Sequence, residues 1–78
     1  MRIKEEKAVF TFRTTLQAMQ AERSLKGAGC PGRIIPVPRD ITAGCGMAWC
    51  APVQELDRTE RFLKESELVW EQTYRMFL

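Results

Sequence analysis

Residues 33–50 read RIIPVPRDITAGCGMAWC, and this stretch decides the fold class. Its apolar beginning, Arg33 to Val37, is bounded by glycine and proline and predicts a strand. Its end, Met47 to Cys50, predicts a second short strand, and Pro38 to Gly46 between them is typical of a loop. Because the connection is short, we expect the two strands to pair as antiparallel neighbours. Pro36 has no N–H to give to a ladder, so we expect it on a sheet edge or at a strand end.

A strand and a helix precede this stretch. Residues 7–12 alternate in hydrophobicity, which predicts a strand with Phe10 facing the core. Thr14 followed by Gln17 fits a capping box and predicts a helix that continues to Lys26. Two glycines and a proline then provide stop signals. The apolar positions expected along this helix are Leu16, Ala18, Met19, Ala21, Leu25 and Ala28.

A second helix and a last strand follow. Pro52 is expected at or near the first helical position, residues 53–64 predict the helix, and residues 68–78 predict the strand. The predicted order is therefore β-α-β-β-α-β, in which both helices cover one face of a four-stranded sheet. We expect an α+β, ferredoxin-like two-layer sandwich that occupies residues 1–78 as a single domain.

Composition and charge argue against several classes of protein. The net charge is only +2, with the basic residues scattered among acids, which does not favour a nucleic-acid partner. No apolar run approaches the roughly 20 residues that span a bilayer, and the N-terminus has no signal-peptide core. We therefore expect a cytoplasmic protein without a membrane partner. The chain has no histidine and no suitably paired carboxylates, so we expect neither an enzyme nor a protein with a cofactor.

Cys45 is the strongest candidate for a functional residue, because it lies between Gly44 and Gly46. Glycines on both sides leave the sulfur uncovered and let backbone N–H groups form a nest for an anion. Arg39 lies in the same predicted loop, and a cation near the sulfur would favour the thiolate. Cys50 is a possible second thiol, because it lies just before the second predicted helix, whose dipole would also favour a thiolate.

Other roles for the three cysteines remain open at this point. An odd number of cysteines without a secretion signal argues against a disulfide framework. Cys30 is expected to be a buried or inert thiol. Cys45 and Cys50 would be about 16 Å apart along an extended strand and on opposite faces, so a disulfide between them would require that strand to be absent. Three thiolates with Asp40 could bind zinc, although the usual close cysteine pairs are missing and we expect no metal.

Several segments together resemble a family. The strand 8–12, the helix end 25–29, the run 35–41 and the pair Cys45-Gly46 are similar to the small bacterial domains described as selenium/sulfur carrier protein-like. The resemblance implies a non-catalytic carrier that holds a persulfide or selenopersulfide on Cys45. It also implies a cysteine desulfurase or selenocysteine lyase as donor and a further protein as acceptor. Cys50 is not matched to the family pattern, which leaves open a resolving or metal-binding role for it.

Two other functions are compatible with the predicted fold. An interaction or regulatory module would use the uncovered sheet face, where Val9, Ile34 or Ile35, and Met47 or Trp49 could form an apolar surface for a homodimer. RNA binding would need aromatic residues on that face and a basic patch, neither of which is evident.

Overall fold

The computed structural model describes residues 4–42 and 44–78. Residues 1–3 and Ala43, which fall in the predicted N-terminal segment and in the predicted loop, lie outside the described residues. The elements follow in the predicted order β-α-β-β-α-β. They are β1 (Glu6–Thr11), α1 (Thr15–Gly27), β2 (Arg33–Pro36), β3 (Met47–Pro52), a 3-10 turn (Val53–Glu55), α2 (Leu56–Glu65) and β4 (Gln72–Phe77).

The four strands form one antiparallel sheet in the order β2-β3-β1-β4. Each helix connects two strands that are separated by one antiparallel neighbour, which is the ferredoxin-like arrangement. The predicted α+β fold class is therefore confirmed. Pro36 ends β2, an edge strand, as its missing N–H requires. None of the helices in the described part of the chain is long and apolar enough to cross a membrane.

The core lies between the sheet and the two helices. Phe10 and Trp49 are cross-strand partners, and both are fully buried in the cluster that α1 and α2 cover. The predicted inward direction of Phe10 is confirmed. Trp70 packs against the same cluster, and its ring and that of Phe10 make an edge-to-face contact at a centroid distance of 6.3 Å. The second face of the sheet carries the alternate residues of each strand, because successive side chains point to opposite sides.

Thr14 caps the start of α1 as the sequence predicts, but the reciprocal bond of the capping box goes to Arg13 rather than to Thr14. The hydroxyl of Thr14 accepts from the N–H of Gln17 at 3.1 Å, and the Gln17 side chain accepts from the N–H of Arg13 at 3.2 Å. The apolar set predicted for this helix is only partly right. Ala18, Ala21 and Leu25 are buried, but Leu16 and Met19 are 64% and 58% exposed, and Ala28 is exposed beyond the helix end. The reason is that α1 meets the sheet along the small residues Ala18 and Ala21.

The C-terminal boundaries also differ from the prediction. β3 continues to Pro52, so Pro52 ends a strand and precedes the 3-10 turn, and the α-helix begins only at Leu56. β4 begins at Gln72 rather than Leu68. The chain leaves α2 through hydrogen bonds from the N–H groups of Glu67 and Leu68 to the last turn of the helix, and it returns to β1 at Glu71, whose N–H donates to the carbonyl oxygen of Thr11 at 2.7 Å.

Candidate functional site

The site is built on the loop that joins β2 to β3. The N–H of Val37 donates to the carbonyl oxygen of Gly46 at 3.0 Å, which closes the base of the loop. Inside it, the N–H of Ile41 donates to the carbonyl oxygen of Pro38 at 3.1 Å and forms a turn. The predicted loop between the two strands is therefore present, and Cys45 lies near its base rather than at its tip.

Cys45 is half-buried, beside the end of β1. Its N–H faces the carbonyl oxygen of Phe12 at 3.4 Å, and its side chain packs against the core that the helices cover. The N–H of Met47 points at the sulfur from 3.4 Å, and the sulfur faces the Met47 carbonyl oxygen at 3.5 Å. A thiol at this position can donate to the carbonyl, while a sulfur anion would be stabilised by the N–H.

The two glycines have separate structural reasons. Gly46 has φ of +75°, which is left-handed backbone, and this conformation turns the chain from the loop into β3. Gly44 lies against the loop that leads into α1, where a Cβ would be 2.6 Å from the carbonyl oxygen of Arg13. The expectation that the glycines uncover the sulfur is therefore incomplete, because both are also required by the backbone path.

Arg39 lies in the exposed turn of the loop. The polar contacts of Cys45 go to the backbone of Phe12 and Met47, and among the described residues no hydrogen bond joins Arg39 to the sulfur. The effect of Arg39 on the sulfur stays a prediction.

Cys50 has a different environment from the one predicted. It lies within β3, two residues before the strand ends, so it is not adjacent to α2. Its neighbour Trp49 points into the core, which directs Cys50 to the opposite face of the sheet. Burial raises the pKa of the Cys50 thiol, and the positive charges of Lys7 and Arg33 only partly oppose this. The prediction that a helix dipole favours a Cys50 thiolate is wrong.

Cys30 is a packing residue. It is 7% exposed and belongs to the core. Its N–H donates to the carbonyl oxygen of Leu25 at 2.9 Å, while the N–H of Gly29, with φ of +74°, donates to that of Lys26. These two bonds form a Schellman motif, in which the buried pair Cys30 and Leu25 supplies the usual apolar contact.

The residues of the zinc alternative are not brought together. Within residues 4–42 and 44–78, no three side chains of cysteine, aspartate or glutamate are grouped so that they could hold a metal ion. All three cysteines are free thiols, and Asp40 lies in the exposed turn beside Arg39.

Two contributions to the site were missed by the sequence analysis. The N–H that points at the sulfur belongs to Met47, which follows the predicted glycine-cysteine-glycine nest. The carbonyl oxygen of Phe12 comes from the end of β1, more than thirty residues away in the chain. The alternation in residues 7–12 predicted that strand, but nothing local indicated its register with β3.

The comparisons with known proteins agree with the resemblance noted in the sequence. The family model described as "Putative Se/S carrier protein-like" matches residues 7–75, which include both helices, β2 and β3 completely and most of β1 and β4. A protein of Escherichia coli (strain K12), named "Uncharacterized protein YtiA", is 31% identical over 70 residues, covering 80% of this chain and 82% of the relative. No solved structure matches the chain significantly.

Proposed function

The chain belongs to the Se/S carrier protein-like family, and from this premise we propose that it carries sulfur or selenium on Cys45 as a persulfide or selenopersulfide. The observation that carries the proposal is the position of the Cys45 sulfur, which is half-buried and faces the N–H of Met47 at 3.4 Å. The carrier does not itself catalyse the reactions that produce or consume the cargo.

A persulfide on Cys45 fits this geometry because its outer sulfur ionises readily and needs protection from water and from other thiols. The N–H of Met47 points at the Sγ atom, so it stabilises the Cys45 thiolate that attacks the donor and that leaves again when the cargo is delivered. Cys45 is half-buried, so the residue is partly shielded from water and partly accessible to a partner. Exposed thiolates also accept such modifications reversibly.

Loading would be an exchange between the Cys45 thiolate and a persulfide of the donor. The Cys45 thiolate attacks the outer sulfur of a persulfide on a cysteine desulfurase, and a new S–S bond forms on Cys45. The S–S bond of the donor persulfide breaks, and the donor cysteine leaves as a thiolate that takes up the proton lost by Cys45. No external oxidant or reductant is consumed. A selenocysteine lyase would supply selenium in the same oxidation state, and a protein acceptor would reverse the exchange.

A single-thiol carrier is the form that this arrangement favours. Cys45 packs on the helix-covered side of the sheet, whereas Cys50 lies on the other face. A resolving thiol must reach the sulfur that it attacks, and a strand separates these two. Cys50 therefore has no part in the proposed transfer.

The surface beside Cys45 also suits a protein partner. Leu16 and Met19 are three residues apart on α1, so they lie on one side of the helix, and both are exposed. Arg13, which precedes this helix, touches Gly44 in the cysteine loop. A donor or acceptor enzyme could bury this apolar pair while it approaches the thiol.

Intact-protein mass spectrometry tests the proposal. The reduced protein is incubated with a desulfurase and cysteine, and separately with a lyase and selenocysteine, beside the variants Cys45→Ser and Cys50→Ser. We expect a gain of one sulfur or selenium atom that dithiothreitol reverses and that only Cys45→Ser abolishes. Equal loading of Cys45→Ser and the wild type would contradict the proposal and favour an interaction module without covalent chemistry.

A further inference from the structure

The sheet face opposite the helices contains a cavity of about 660 Å³ that is separate from the Cys45 loop. It lies over the end of the sheet where β1, β2 and β3 run side by side. Cavities of this size are in the range that binds small molecules. Its lining combines cationic side chains with apolar ones: Lys4, Lys7, Arg33, Ile35, Pro52 and Leu78.

The strand register explains why two of the cations meet above one thiol. Arg33 on β2 lies directly opposite Cys50 on β3, and Lys7 on β1 lies opposite Pro52, two residues further along β3. The strands that carry Arg33 and Lys7 are therefore about 10 Å apart, with β3 between them. Long side chains can close that distance around a single anionic group.

The side-chain charges of this cavity are not balanced within the described residues. Three cationic side chains and one carboxylate side chain, that of Glu5, line it. The ion pairs formed by residues 4–42 and 44–78 are Lys26–Glu22, Arg58–Glu55 and Arg75–Glu6, so neither Lys7 nor Arg33 takes part in one. Lys7 is half-buried, which makes an unpaired charge there more costly than one on an open surface.

We propose that this cavity binds a small organic oxyanion, with its carboxylate or phosphate group between Lys7 and Arg33 and its apolar body against Ile35 and Pro52. Arginine and lysine donate charge-assisted hydrogen bonds to such groups, and the apolar lining excludes water from the rest of the ligand. Cys50, which lines the cavity, is compatible with a bound anion because burial raises the pKa of its thiol and so favours the neutral form. The ligand is independent of the cargo proposed for Cys45.

Titration of the ¹⁵N-labelled protein, followed by NMR, tests this site. The probes are phenyl phosphate and benzoate, with inorganic phosphate supplying charge alone and benzyl alcohol supplying the ring alone. We expect saturable shifts of the Lys7, Arg33 and Cys50 amides with phenyl phosphate or benzoate, and weaker binding of both controls. The tighter of the two organic anions distinguishes a phosphate from a carboxylate ligand.

Charge-removing variants locate the binding. Lys7→Gln and Arg33→Gln should each weaken the better probe by at least about threefold. Arg61→Gln, an exposed arginine on α2 in the other layer of the fold, should leave the affinity unchanged. Shifts scattered over the surface, or equal affinity in all three variants, would overturn the proposal.

Alkylation of Cys50 gives a second readout that does not depend on those variants. In the Cys45→Ser variant, peptide mass spectrometry measures the rate at which iodoacetamide modifies Cys50. Phenyl phosphate should slow this modification, whereas benzyl alcohol should not. If neither organic anion protects Cys50 and a single-stranded oligonucleotide does, the face binds a nucleic acid and the small-molecule proposal is wrong.

Discussion

The backbone N–H of Met47 donates to the sulfur of Cys45 across 3.4 Å, and the sulfur faces the carbonyl oxygen of the same residue at 3.5 Å. Gly46, between them, makes this approach possible with its φ of +75°. A Cβ at Gly46 would meet nothing within 4 Å, so any penalty for alanine there comes from the backbone conformation alone.

Gly46→Ala should therefore destabilise the fold by about 1–2 kcal/mol, the cost of left-handed backbone for a residue with a side chain. Gly46→Asn should cost less, since asparagine adopts this conformation more readily. Urea denaturation measures both free energies of unfolding. Equal losses in the two variants would show that conformation is not what glycine provides at this position.

At position 44 glycine is required for a steric reason instead, because a side chain there would clash with the backbone of Arg13. A Cβ there would be 2.6 Å from the carbonyl oxygen of Arg13 and within 3.3 Å of two more backbone atoms of that residue. We expect Gly44→Ala to push the cysteine loop away from the start of α1 and to cost about 1–3 kcal/mol. It should also increase the rate at which iodoacetamide modifies Cys45.

Gly27→Ala is the matched control for this prediction. Gly27 ends α1, and a Cβ there would meet nothing within 4 Å. Alanine at this helical position should be neutral or stabilise by up to about 1 kcal/mol. If Gly44→Ala behaved in the same way, the loop and the helix start would not be in tight contact.

The exposed pair Leu16 and Met19 should matter for transfer and not for stability. Leu16→Lys and Met19→Lys should each change the free energy of unfolding by no more than about 0.5 kcal/mol, because both side chains lie mostly in solvent. If a donor enzyme docks beside Cys45, the same variants should slow persulfide loading. Initial rates of loading by a desulfurase, measured by mass spectrometry, provide the comparison.

Val69→Lys controls for the added charge. Val69 is 60% exposed, close to the value for Met19, but it lies between α2 and β4. The loading rate of the Val69→Lys variant should equal that of the wild type. A uniform loss of rate in all three lysine variants would indicate a general effect of charge rather than docking on α1.

Periodicity predicted the order of the elements because every strand and helix has an apolar pattern of its own. It failed to orient α1, where apolar residues surround most of the helix. Ala18, Ala21 and Leu25 form one stripe with helical spacing, while Leu16 and Met19 lie about 160° and 100° from Ala18 in the same direction around the axis. Both stripes are apolar, and only the close packing of the sheet against small residues decides between them.

The environment of Cys50 shows the same limit. The sequence identified Trp49 as a core candidate, and strand alternation then directs Cys50 to the other face. The prediction ended β3 at Cys50 and began the helix at residue 53, whereas the structure continues β3 to Pro52 and begins α2 at Leu56. Lys7 and Arg33 reach this thiol only through pairing between distant strands, which a single sequence does not specify.

Burial of Cys50 makes the stability of the fold sensitive to alkaline pH. Because burial raises the pKa of this thiol in the folded state, the folded protein holds the proton more tightly than the unfolded chain does. The resulting stability is complete below the pKa of an unfolded cysteine, about 8.5, and is lost as the pH rises through the folded value. Cys50→Ala should remove this loss.

Urea denaturation between pH 7 and pH 10.5 measures the difference between the wild type and Cys50→Ala. Arg33→Met provides a test of the opposite sign, since Arg33 lowers the pKa of the thiol and its removal should make the alkaline loss steeper. Parallel pH profiles for the wild type and Cys50→Ala would contradict the burial of this thiol.

The end of α2 contains a residue whose backbone suits glycine better than the side chain that is present. Glu67 has φ of +57°, and the N–H groups of Glu67 and Leu68 donate to the carbonyl oxygens of Lys64 and Leu63. This is the same Schellman geometry that Gly29 provides after α1. Glu67→Gly should therefore stabilise the protein by about 0.5–1 kcal/mol, because the relief of left-handed strain exceeds the entropy that glycine adds to the unfolded chain.

Ser66→Gly, one residue earlier with φ of −87°, should instead destabilise the protein. Urea denaturation of the two variants should give shifts of opposite sign in the free energy of unfolding. Shifts of the same sign would mean that left-handed strain at Glu67 does not limit the stability of this helix end.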